Sequence, residues 1–234
     1  VNNIFEDSNG FLWLTTRNGL NRFDPTTDSF KHYFYDISEP GSVSANWTFA
    51  ANEDNNGLTW VGTYESGINV LDPTTGIFSH YMHAENDPNS LSDNGIYDIV
   101  RDRQGRMWIA TRNGGINRFN PETNDFTRFV HDPNDQYSIS HNKVYRIFEH
   151  SDGSLWFATR GGGLNRYDEQ SGKFIRYRHD PDDHKSISDD QVWSIVEDRN
   201  GGLLIGTFTG GINLLPRASD KFKRIRHDSG SKES

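Results

Sequence analysis

Short apolar runs alternate with polar, glycine-containing breaks along the whole chain, and no stretch shows the 3.6-residue recurrence of an amphipathic helix. Residues 144–191 show the pattern. Val144-Tyr145-Arg146-Ile147-Phe148 reads as a strand, and His150-Ser151-Asp152-Gly153 as a turn in which glycine supplies a positive φ without steric cost. Leu155–Thr159 is a second strand, Arg160-Gly161-Gly162-Gly163 a tight turn, and Leu164–Tyr167 a third strand. Glu169–Gly172 turns again into Phe174–Tyr177, and the polar segment Arg178–Asp190 leads onward.

This unit is one copy of a repeat. Trp13, Trp60, Trp108 and Trp156 recur at intervals of 47, 48 and 48 residues, and Leu204 stands 48 further on. Gly-aliphatic-Asn triplets begin at Gly19, Gly67, Gly115, Gly163 and Gly211. Phe30, Phe78, Phe126, Phe174 and Phe222 keep the same period, and Ser-x-Ser precedes each new unit at Ser42/Ser44, Ser90/Ser92, Ser138/Ser140 and Ser186/Ser188. The expected units are 1–47, 48–95, 96–143, 144–191 and 192–228, with a tail 229–234.

Five units of four strands predict an all-β chain, a β-propeller of five four-stranded blades. A four-stranded sheet that is apolar on both faces must stack on its neighbours, so the recurring Trp and Phe are expected between blades. The first unit opens with strand one and the fifth closes with strand four, so no strand is left at either end to complete a blade at the other. The five blades therefore either close among themselves or belong to a larger ring. The non-Met start at Val1 and the polar tail favour the larger ring, while the atypical first and fifth units favour true ends.

Composition narrows the function. The formal net charge of −9 argues against a general nucleic-acid binder, which needs cations to displace phosphate counterions. With no cysteine among the 234 residues, disulfides, zinc–thiolate sites and thiol nucleophiles are excluded. No apolar run is long enough to span a bilayer, so this segment is not expected to contact a membrane itself. Nucleophile-elbow, zinc-protease and phosphate-loop motifs are missing, and the glycine pairs precede strands rather than helices. The expectation is a chain that is not an enzyme and has no cofactor and no metal. Asp132-Pro133-Asn134-Asp135 and Asp180-Pro181-Asp182-Asp183-His184 read as solvated turns.

Taken together, the unit reads Val-aromatic-x-Ile-x-Glu-Asp-x-x-Gly-x-Leu-Trp-x-x-Thr-Arg-x-Gly-Gly-Leu-Asn-Arg-aromatic, then Phe-x-x-Tyr, His-Asp-Pro and Ser-Ile-Ser. It resembles the two-component regulator propeller repeat, most clearly over Asp198–Leu204, Thr111–Arg118 and His179–Ser188. The resemblance implies an extracytoplasmic, periplasmic ligand-sensing region of a bacterial hybrid histidine kinase or membrane-bound diguanylate cyclase, often for glycan fragments. It also implies pairing of two copies through the parent receptor. The alternative is a stand-alone five-bladed lectin or protein-interaction scaffold.

Candidate ligand residues lie where the repeats differ on one expected face. After the first residue of strand one the units carry Asn2, Phe49, Tyr97, Tyr145 and Trp193. The turn from strand two to strand three carries Arg17, Tyr64, Arg112, Arg160 and Phe208. Aromatic faces stack on sugar C–H surfaces, and guanidinium forks bind carboxylates or sulfates. Arg17, Tyr64, Tyr97, Arg112, Tyr145, Arg160, Trp193 and Phe208 are therefore the candidate site for a small-molecule or oligosaccharide ligand. The competing reading makes the aromatics inter-blade core and pairs the arginines with acids of adjacent blades. The repeated His83, His131, His179 and His227 and hairpin Asp7, Asp54, Asp102 and Asp198 read as structural.

Overall fold

The computed structural model describes residues 1–225, which form five antiparallel four-stranded sheets, each with its strands in sequence order. No helix occurs among the described residues. The sheets are β-propeller blades, as the repeat predicts. In blade four the strands run Val144–Glu149, Leu155–Thr159, Leu164–Asp168 and Lys173–Tyr177, within a residue of the sequence reading. The first strands of the five blades are Asn3–Glu6, Thr48–Glu53, Ile96–Arg101, Val144–Glu149 and Val192–Glu197. His227, the end of the fifth expected unit and the 229–234 tail lie outside the described residues.

The chain divides into two compact units, Val1–Arg128 and Phe129–Ser234. In the first, the Trp of one blade packs with the strand-four Phe of the next. Trp13 shares a core with Leu71 and Phe78, and Trp60 shares one with Ile96, Ile109 and Phe126. The second unit repeats the arrangement with Trp156, Ile205, Leu215 and Phe222. Burying one such ring contributes on the order of 4 kcal/mol. Phe30 departs from the expected pattern. It is 53% exposed where Phe78, Phe126, Phe174 and Phe222 are 3–4% exposed.

The motifs now have physical reasons. Asp102 accepts the backbone N–H groups of Gln104 and Arg106, which is the expected turn cap, and also the indole N–H of Trp108 at 2.8 Å. Asp7–Trp13 and Asp54–Trp60 repeat this bond. In blade four His150 replaces the Asp, and Trp156 donates to Ser154 Oγ instead. The second Ser of Ser-x-Ser donates its backbone N–H to the Asn of the following triplet, Ser140 to Asn165 and Ser188 to Asn213. The first glycine of the pair lies against that Ser, since a Cβ on Gly162 would come within 2.4 Å of Ser140 Oγ. Histidines 83, 131 and 179 hold the carbonyls of Leu91, Ile139 and Ile187, the structural role expected of them.

Candidate functional site

The strand two-to-three turn closes onto the start of strand one in each of blades two to five. The backbone N–H of Tyr64, Arg112, Arg160 and Phe208 donates to the carbonyl of Trp47, Gly95, Lys143 and Gln191 respectively. This brings the two sets of variable residues to one end of each blade.

A second device aims the aromatics. Strand one and strand two lose register at the same place in blades two to five, between Thr48 and Ala50, opposite Ala110/Thr111, between Val144 and Arg146, and between Val192 and Ser194. The extra residue at each irregularity is Phe49, Tyr97, Tyr145 or Trp193. A bulge leaves its residue out of the ladder and redirects its side chain. All four remain half-buried or exposed, with Trp193 at 44%. They are therefore not simply inter-blade core.

In the first unit these residues make a stack. Arg17 lies over the ring of Trp47 at 5.0 Å, Trp47 stacks on Tyr64 at 4.0 Å, and Arg112 lies over Tyr64 at 4.5 Å. Phe49 bridges Tyr64 and Tyr97, at 6.2 Å and 5.3 Å. Arg112 also pairs with Glu65 at 3.0 Å, the adjacent-blade acid that the competing reading expects. Burial works against its charge, but the Glu65 hydrogen bond and nearby Tyr64 outweigh it and raise its pKa. Trp47 was outside the candidate set, although it precedes the strand-one residue directly. Its indole nitrogen is buried without a hydrogen-bond partner, as is Asp93 Oδ2.

In the second unit Tyr145 and Trp193 stack at 4.3 Å, and Phe208 lies 6.1 Å from Trp193. Arg160 is exposed and borders a cavity of ≈ 520 Å³ with His141, Lys143, Asp189 and Gln191. Burial, His131 and the cations Lys143 and Arg178 lower the pKa of His141. Burial pushes Asp189 up, but its bonds from Thr209 and Gln191 prevail and lower it. His141, Lys143 and Asp189 could have been read from the sequence, because they fill the last loop positions before strand one. The Asp132–Asp135 and Asp180–His184 turns lie elsewhere and cap their own backbone N–H groups.

The aromatic and guanidinium groups at one end of the blades make that end the candidate site, on an all-β propeller. The two component regulator propeller family matches residues 1–18, 90–113, 138–161 and 186–209, so the repeat resemblance stands on an independent comparison. An extracellular domain ascribed to a one component system of B. thetaiotaomicron is 26% identical, with TM-score 0.73 over 96% of this chain and 28% of its own. A second B. thetaiotaomicron extracellular domain, from a hybrid two component system, is 23% identical, with TM-score 0.67 over 96% of this chain and 34% of its own. Virginiamycin B lyase of Staphylococcus aureus is 17% identical, with TM-score 0.68 over 96% of this chain and 69% of its own. The last two likenesses show the fold alone. The chain thus spans about a third or less of the two extracellular domains it resembles. No curated protein matches the sequence.

Proposed function

We propose that this chain is the extracytoplasmic, periplasmic sensing propeller of a bacterial signal-transduction receptor. In this reading it binds a glycan fragment or another small ligand and does not catalyse. The repeat match and the extracellular domains of similar fold support the receptor role. The observation that carries binding is the bulge-aimed stack Arg17–Trp47–Tyr64–Arg112, with the unpartnered indole N–H of Trp47 inside it. Flat apolar faces beside guanidinium edges recognise sugar rings and their acidic substituents. Two copies paired through the parent receptor would carry the signal onward. An array of neutral and uronate-bearing oligosaccharides tests this reading. Selective retention of one class supports it, and retention of none overturns it.

The five blades belong, in this proposal, to a larger ring. Ile212 is 47% exposed where Leu20, Ile68, Ile116 and Leu164 are fully buried, and Phe30 is exposed in the same way. These are inter-blade positions, and a further blade of the same repeat would cover each.

A further inference from the structure

At the opposite end of the second unit's blades, a cavity of ≈ 450 Å³ opens at the seam between blades four and five. It is lined by Trp156, Tyr177, Arg166, Arg217, Asp152 and Asp220, among others. One position of the repeat contributes to it. In blade three Phe119 packs on Trp60 at 4.7 Å and on Tyr81 at 5.6 Å, which fills the seam between blades two and three. In blade five that position is Leu215. Trp156 and Tyr177 lie 5.5 Å apart; Phe222 of blade five meets Tyr177 edge-on at 5.8 Å, but no ring stands where Phe119 stands in blade three.

The turn that closes the cavity is also unlike its counterparts. Gly76, Asn124 and Gly172 take the positive φ of the strand three-to-four turn in blades two to four. In blade five the left-handed residue is Ala218 (φ 57), two positions earlier in the repeat. A side chain there costs about 1–2 kcal/mol, and such conformations cluster at ligand clamps. The turn places Arg217 along Gly201, where an added Cβ would come within 3.0 Å of Arg217 Cδ.

Two guanidinium groups thus face one cavity. Arg166 lies over Trp156 at 5.8 Å, and neither the Arg166 nor the Arg217 guanidinium donates a hydrogen bond to another described residue. His150 holds the back wall, with Nε2 on the Gly201 carbonyl at 3.0 Å and Nδ1 2.9 Å from Asp152 Oδ1. Asp152 Oδ2 and the Asp220 carboxylate remain as acceptors.

We propose that this seam binds a small hydroxylated carboxylate of monosaccharide size, a sugar acid. The guanidinium pair takes the carboxylate as a fork, the aspartates accept its hydroxyls, and the apolar ring face rests against Trp156 and Tyr177. The site does not depend on the stack at the other end of the blades.

The test is calorimetric titration of the full chain with D-glucuronate, D-glucose and benzoate. Glucuronate is expected to saturate, with glucose and benzoate each about tenfold weaker or more. Arg217→Ala should lower glucuronate affinity about tenfold or more. Leu215→Phe should fill the cavity and abolish binding while the melting temperature holds. Arg118→Ala, at the same repeat position over Trp108, should leave affinity unchanged. No saturation by glucuronate, equal binding of benzoate, or full affinity in both Arg217→Ala and Leu215→Phe would overturn the proposal. In the last case glucuronate would be binding elsewhere, and the reading of the stack would survive.

Discussion

Trp108 donates its indole N–H to Asp102 at 2.8 Å, and both residues are nearly inaccessible to solvent. The same carboxylate accepts two backbone N–H groups and the Arg106 Nε–H, so it joins the first hairpin to the buried Trp108 ring. Removing it leaves several buried donors without an acceptor. Asp102→Ala should cost about 3 kcal/mol, read as a shift in the urea midpoint. A loss below about 0.5 kcal/mol would show that water replaces the carboxylate.

The glycines of the repeat are not equivalent. A Cβ on Gly163 (φ +77) would meet the Tyr177 carbonyl oxygen at 2.2 Å, whereas Gly153 (φ +87) has nothing within 4 Å. Gly153→Ala should therefore cost only the conformational penalty, about 1 kcal/mol. Gly163→Ala adds a backbone clash and should lower stability well beyond that. Equal denaturation midpoints for the two variants would contradict the geometry.

Blade four should carry a pH dependence that its neighbours lack. Burial pushes His150 down, but its bonds to Asp152 and the Gly201 carbonyl prevail and raise its pKa above the usual 6.5. Burial likewise opposes the charge of Asp152, yet the bonds from Ser154 and His150 lower its pKa to about 2. The raised His pKa gives stability that is full below 6.5 and is lost as pH rises through the folded value. The depressed Asp pKa gives stability present above 3.8 and lost as pH falls toward about 2. The difference in melting temperature between wild type and His150→Gln should thus shrink from pH 6 to pH 8. A constant difference would remove the ion pair from the account.

The larger ring predicts an asymmetry between equivalent residues. Phe78→Ser empties a filled inter-blade core and should cost about 3 kcal/mol or more. Phe30→Ser should change the stability of this chain little, because its ring is exposed. In a longer protein with a blade before Val1, Phe30→Ser should cost as much as Phe78→Ser. If it does not, no blade covers that face.

Much of the fold was legible because the period is carried by large residues. Trp13, Trp60 and Trp156 fill seams that only a repeated sheet can make, and the turn glycines mark where strands end. The bulge was not legible, since an extra residue in a ladder leaves the sequence period intact and shows only in the pairing of Val144 and Arg146. The Arg112–Glu65 pair was anticipated in kind but not in identity, because it joins two turns 47 residues apart. The blade-five seam was hidden too. Leu215 looks like an ordinary core residue until the ring it replaces is seen in blade three.

In the proposed reading the bulge-aimed aromatics and their arginines bind a ligand rather than only brace the blades. Affinity for the uronate-bearing oligosaccharide best retained on the array, measured beside melting temperature in Arg112→Ala and Arg160→Ala, tests it most directly. Affinity is expected to fall by about tenfold or more in each variant with the melting temperature nearly unchanged. Unchanged affinity with a large fall in melting temperature would make both arginines structural and contradict it.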